Sequence, residues 1–218
     1  MADTSAASPP VTVDRLRSDE TDAGASLLAR SFVDERIFAH IFEGCERDRV
    51  ERATTRWFRA WIRSCLPLGE VHAARLDGKL VGVGVRIPPG GFPLHRAAQI
   101  RFMRGLMGGM LRMAMTSRRA LRLGSFARQL ARLEPDEPFW NLVWIGVDPD
   151  LQRHGIGSAL ADEVIGLADS SSTACWLVTF GPHTRTLYER RGFAVETEVR
   201  PFPDGPTGWT LRRGPQEP

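Results

Sequence analysis

The sequence predicts an α/β fold on a mixed sheet, and three observations carry that expectation. From Phe139 onward the chain reads strand, helix, strand, helix, strand, strand, with apolar runs alternating with segments of helical spacing. Upstream, Asp77-Gly78 joins two apolar runs, a hairpin cue because both residues tolerate positive φ. The 218 residues, 42% hydrophobic and 25% charged, are ordinary for a globular chain of one large domain or two small ones.

Residues 1–10 (MADTSAASPP) are small, polar and proline-ended and read as a disordered tail. A single domain is expected over 11–213, with 214–218 as a C-terminal tail. Val11–Leu16 alternates apolar and polar residues, the period of a half-buried strand. Ser18 or Asp19 then caps a helix carrying Ala25, Leu28, Ala29 and Phe32 at helical spacing. A second helix is expected over Arg47–Leu66, ended by Pro67, with Trp57, Trp61 and Leu66 on its buried side. Val71–Leu76 and Leu80–Val85 form the hairpin.

Pro88-Pro-Gly-Gly opens the segment 92–134, which reads as a basic helical insertion. On a helix from Arg96 to Arg122, Arg101, Arg104, Arg112, Arg119 and Arg122 fall within about 80° of one another. Met103, Met107, Met110 and Ala114 fall opposite, as a core face would. Gly105, Gly108 and Gly109 each weaken this helix by up to about 1 kcal/mol and mark where it bends or breaks. Phe139–Val147 is an apolar strand stopped by Asp148-Pro149, and a helix follows over His154–Ala168. Ala174–Phe180 is a strand, Thr184–Arg191 a helix ended by Gly192, and Phe193–Arg200 and Gly208–Arg212 the last two strands.

Composition narrows the function. Cys45, Cys65 and Cys175 are far apart, odd in number and without zinc-like spacing, so a reduced compartment and no metal site are expected. The N-terminus has neither a basic nor an apolar signal region, and no membrane-length apolar run occurs, so the expected setting is cytoplasmic with no membrane partner. The charge is uneven. Of 29 basic residues only Lys79 is lysine, and from Lys79 to Leu133 there is no Asp or Glu. That stretch carries +11, leaving −8 for the rest of a chain whose net charge is +3. A basic segment on an acidic protein is a different object from a uniformly basic one.

The chemistry concentrates at Val147-Asp-Pro-Asp-Leu-Gln152-Arg153-His154-Gly155-Ile156-Gly157-Ser158. A strand ends, the chain turns, and a helix begins at two glycines. Backbone N–H groups at a helix start lack intrahelical partners and sit at the positive end of its dipole. With Gly155 and Gly157 admitting close approach, and Arg153 and His154 at the rim, the loop reads as a pyrophosphate cradle. It is not a P-loop, which needs GxxxxGK[ST], nor the GxGxxG of dinucleotide folds.

This stretch resembles motif A of the GNAT superfamily of N-acetyltransferases, (Q/R)-x-x-G-x-(G/A), here Gln152-Arg-His-Gly155-Ile-Gly157 behind Val147-x-Pro149. A second stretch, His183-Thr-Arg-Thr-Leu187-Tyr188-Glu-Arg-Arg-Gly192-Phe193, resembles motif B, with His183 where asparagine is common and the chain's sole tyrosine on the motif's tyrosine. The C-terminal residues through Trp209 and Leu211 resemble those of actinobacterial members similar to puromycin N-acetyltransferase. The resemblance is specific over 139–213 and loose over 11–88. It implies a mostly antiparallel sheet of about seven strands, flanked by helices and splayed after the fourth strand.

It also implies acetyl-CoA as cosubstrate and direct acetyl transfer to a primary amine of a small molecule. Ile145, Gly146 and Val147 would meet the pantetheine, with the Val147 N–H holding the thioester oxygen. The diphosphate would lie on Gln152, Arg153, His154, Gly155, Ile156, Gly157 and Ser158, with His183 nearby. Tyr188 would give a proton or a hydrogen bond to the departing thiolate, against the plainer reading of a packing aromatic.

The strand Phe139–Val147 carries no carboxylate or histidine to serve as general base. Glu70, Glu43, Asp34 and Asn141 are the candidates, with Asp34 and Glu35 following Phe32 in the first-helix region that lines acceptor sites in the family. His40, His72 and His95 read as packing or surface residues. Two rivals stand beside the enzyme: a GNAT-fold module that binds acyl-CoA without turnover, and a nucleic-acid or anionic-surface binder working through the arginines of 96–132. The favoured reading expects no nucleic acid. The methionine side could instead wall the acceptor pocket or form a homodimer surface.

Overall fold

The structure, a computed structural model, describes residues 11–68, 70–91 and 96–216, so the expected tail over 1–10 and His95 lie outside the described residues. Seven strands form one sheet: β1 (Thr12–Arg15), β2 (Val71–Leu76), β3 (Lys79–Ile87), β4 (Phe139–Val147), β5 (Ala174–Thr179), β6 (Ala194–Val199) and β7 (Gly208–Arg213). Their order is β1-β2-β3-β4-β5-β7-β6, with β4–β5 parallel and every other pair antiparallel. The hairpin turn sits where expected, with Asp77 and Gly78 at φ of 50° and 75°.

Helices cover both faces. On one lie α1 (Thr21–Phe32), α2 (Arg36–Ile41), α3 (Arg47–Cys65), α4 (Arg96–Thr116) and α5 (Arg122–Leu130). The core on that side is aromatic: Phe32, Phe38 and Phe58 pack around Trp144 of β4, with ring centroids 5.2 to 6.3 Å from it. On the other face α6 (Ile156–Ser170) and α7 (Pro182–Glu189) bury Leu160, Ala161, Val164 and Tyr188. Gly82 and Gly84 of β3 leave room for Leu160, whose methyls would stand 3.2 and 3.4 Å from a Cβ at those positions.

The insertion departs from its sequence reading in two ways. The helix breaks at Ser117, extended at φ −143° and ψ 125°, and not at its glycines; a short 3-10 turn, Arg118–Leu121, then leads into α5. Its buried side is also rotated. Met113 is fully buried and Met110 half-buried, but Met103 and Met107 stand in solvent. The cause is glycine: a Cβ on Gly109 would lie 3.0 Å from the Trp57 ring and one on Gly105 3.3 Å from Ser64 Oγ. Those bare positions let α4 approach α3 closely, so the glycines set the contact face that the methionine spacing was expected to set. The side chain of Arg101, counted on the arginine side, lies outside the described residues.

Candidate active site

The parallel pairing of β4 and β5 runs from Phe139↔Ala174 to Leu142↔Leu177 and stops, although β4 continues to Val147 and β5 to Thr179. Beyond that point the two strands part. Asp148 N–H donates to Val81 O at 2.9 Å, so the alternation of an antiparallel ladder puts Gly146 and Trp144 on the β3 side. The backbone groups of Ile145 and Val147 therefore face the gap. A free strand edge opposite a parting neighbour can be completed by an extended, amide-bearing chain.

The loop after β4 leads to the N-terminus of α6 at the same end. Gly155 is its left-handed N-cap, φ 79°, a conformation open to glycine at no steric cost. No side chain caps this helix, and its first bond is Ala159 N–H to Gly155 O at 2.9 Å. The N–H groups of Ile156, Gly157 and Ser158 are thus left without intrahelical partners, which suits a diphosphate. Arg153, exposed, is left-handed at φ 66°, and His154 holds its ring by Nδ1, 2.9 Å from Gln152 O. A Cβ on Gly157 would meet the Val147 and Ile145 side chains at 3.5 and 3.9 Å, ordinary contact distances, so packing of α6 on β4 does not by itself demand a bare position there.

Two groups from α1 and its exit close the gap from the opposite face. Ser31 Oγ accepts the Val147 N–H at 3.2 Å. That N–H, expected to hold a thioester oxygen, is therefore engaged in this structure, and Ile145, two residues back on the same edge, offers the next amide. α1 comes this close because position 146 is glycine: a Cβ would lie 2.7 Å from Leu28 Cδ2 and 3.1 Å from Ser31 Oγ. One turn further on, Glu35 caps α2 by accepting the Ile37 N–H, and its Oε1 would stand 3.3 Å from a Cβ on Gly181, just past the end of β5. Burial raises the Glu35 carboxyl above its usual value, against the pull of the Ile37 N–H and the charge on Arg36. Arg36 in turn donates to Phe180 O.

The other base candidates are elsewhere. Asp34 is held by Arg47 through two bonds of 2.9 Å that lower its pKa, Glu43 pairs with Arg119, and Glu70 pairs with Arg86 at 2.7 Å. Asn141 lies within the closed part of the ladder, opposite Trp176. His40 packs on Phe202 near Asp204, and His72 is buried against Glu163. His183 is exposed in the first turn of α7. Tyr188 is buried edge-on to Phe193, with burial pushing its phenol well above the usual range. Its hydroxyl makes no hydrogen bond among the described residues.

An open sheet that offers one strand edge and a helix N-terminus to an amide-bearing, phosphorylated ligand defines an acyl-CoA-dependent transferase fold. Residues 35–193 match the acetyltransferase (GNAT) family model, and the chain belongs to that family. The fold recurs at low identity. A solved Corynebacterium glutamicum structure, histone acetyltransferase HPA2 and related acetyltransferase, superposes with a TM-score of 0.68 at 19% identity, covering 95% of this chain and 98% of that one. Drosophila melanogaster polyamine N-acetyltransferase, which forms N-acetylagmatine, gives 0.57 at 18%, over 94% and 100%. The Thermoplasma acidophilum PaiA N-acetyltransferase, solved with coenzyme A, gives 0.55 at 11%, over 94% and 99%. Family members use acetyl-CoA, and among the described residues no cluster could hold a metal and no helix is long and apolar enough to cross a membrane.

Proposed function

We propose that the protein transfers an acetyl group from acetyl-CoA directly to the primary amine of a small molecule, with Glu35 as general base. One observation carries this reading: the Ser31–Glu35 turn bridges the parted strands on the face opposite the unpartnered N-terminus of α6. The diphosphate would rest on the N–H groups of Ile156–Ser158, with Arg153 and His154 beside it, and the pantetheine would complete the edge of Ile145–Val147. The Ile145 N–H would steady the thioester oxygen as it gains charge.

The amine enters from the α1 side. Its nitrogen attacks the acetyl carbon, the C–N bond forms as the C–S bond breaks, and its proton passes to the Glu35 carboxylate. Tyr188, kept protonated by burial, donates a hydrogen bond to the thiolate. A thiol of pKa about 8.5 needs no stronger help.

The amines in the names of similar structures include polyamines, agmatine and arylalkylamines, and the C-terminal likeness to puromycin N-acetyltransferase-like members adds that antibiotic to the acceptor panel. The test is release of free CoA thiol over such a panel, alongside calorimetric titration with acetyl-CoA. Micromolar binding, weakened about tenfold or more in Arg153→Glu, is expected. Glu35→Gln should cut kcat about a hundredfold or more with the acetyl-CoA Kd unchanged, and Tyr188→Phe by less. Binding without turnover of any amine would leave a carrier of acyl-CoA and sink the enzyme reading.

A further inference from the structure

Ile100, Met103, Met107, Leu111 and Met115 are between 52% and 70% exposed, and at three- and four-residue intervals they make one stripe along the outside of α4. The side of α4 that meets the protein is the one carrying Gly109 and Met113. A contiguous row of large apolar side chains in water marks a contact surface. The segment that carries it is of one sign. No acid occurs between Lys79 and Leu133, and Arg104, Arg112, Arg118, Arg128 and Arg132 are exposed with no ion pair among the described residues.

We propose that the outer side of α4 docks on an anionic lipid surface, with the arginines pairing to headgroup phosphates and the stripe sinking among the upper acyl carbons. Each alternative leaves half of the surface unused. In a two-fold dimer α4 would face its own copy, setting like charges together with no acid on the segment to offset them. A nucleic acid would satisfy the arginines and leave the stripe wet. An anionic bilayer takes both, and stable docking of this kind needs both signals together. α4 lies flat in this arrangement and does not span: it fails as a membrane-crossing helix. The sequence expectation of no membrane partner rested on the missing span and on methionines assigned to the core, and two of those, Met103 and Met107, are outside.

The test is flotation of the full chain with vesicles of phosphatidylcholine alone and of phosphatidylcholine mixed with phosphatidylglycerol, at low and high salt. Flotation with the mixed vesicles, at least about tenfold less with the neutral ones or at high salt, is expected. Met107→Glu with Leu111→Glu should abolish it, as should Arg104→Glu with Arg112→Glu, at unchanged melting temperature because all four side chains stand in solvent. Met115→Gln is the milder second variant and should weaken it. No flotation with the mixed vesicles, equal flotation of the stripe variants, or a stripe variant that merely splits a dimer in light scattering would each overturn the proposal.

Discussion

Glu35, proposed as the general base, holds a buried carboxyl at some cost to stability when it is ionised. Its carboxyl is raised by burial, so the folded protein binds that proton more tightly than the unfolded chain. Stability from this group is therefore greatest at low pH and falls as pH rises from the ordinary carboxylate value, 4.5, through the raised one. Glu35→Gln keeps an oxygen for the Ile37 N–H and removes the buried charge. It should melt no lower than the parent at pH 7, and higher if any shift is seen, while losing turnover. A lower melting point would make Glu35 a helix cap and nothing more. As a base it works only when ionised, so kcat/KM should fall on the acid side along its titration, and that limb should vanish in Glu35→Gln. Arg153 has a different signature. A non-glycine residue in the left-handed region costs about 1–2 kcal/mol, and Arg153 adopts it at φ 66°, two residues before the left-handed N-cap Gly155 of α6.

At the scale of elements, the site depends on how closely α1 lies on β4. Gly146 sets that distance, since a Cβ would press on Leu28 and Ser31 together. Gly146→Val should destabilise by about 1–3 kcal/mol in urea melts, the usual cost of overpacking. It should also lower kcat for the amine more than it weakens acetyl-CoA binding, because α1 carries Ser31 and leads into Glu35 while α6 is untouched. Equal losses in both would argue that α1 is only a cover. The α3–α4 contact follows the same rule, with Gly105 and Gly109 admitting a second helix to backbone distance. Reading those glycines only as weak points in a helix misses that weakness and close approach come from one property, the missing Cβ.

For the whole molecule, Arg75 ties the sheet edge to the start of α1. It makes two bonds of 3.0 Å to Asp14 and two of 2.8 Å to Glu20, and is itself buried. Hydrogen bonding to Arg75, against burial, holds Glu20 down to about 2. A carboxylate lowered on folding stabilises above its unfolded value of 4.5 and loses that contribution as pH falls towards 2. Arg75→Met should cost on the order of 3 kcal/mol at pH 7, by stranding two carboxylates near a buried position, and acid unfolding should lose its component in that window. An unchanged acid profile would mean the cluster is already solvated.

Much of the fold was legible because local chemistry repeats. Phe139–Val147, the Asp77-Gly78 turn and the glycine-led start of α6 follow from pattern, φ and capping, which act between near neighbours. The short α2, Arg36–Ile41, was not, since six residues carry too little periodicity to show. The half of the candidate site proposed to hold the nucleotide was readable for the same local reason: one contiguous stretch supplies both the strand edge and the helix start. The acceptor half was not. Glu35 stood in the sequence beside Asp34, Glu43 and Glu70, four acids with nothing to rank them. Only the tertiary structure gave three of them arginine partners and left the fourth buried at the parted strands. Likewise the order of Arg and Met along α4 was plain, but which side met the protein was decided by two glycines against α3. By itself the sequence determined what each segment is, because secondary structure and phosphate-loop geometry are short-range. Which carboxylate is free, and which apolar face is left in water, are differences of burial and pairing, and these exist only once distant segments have met.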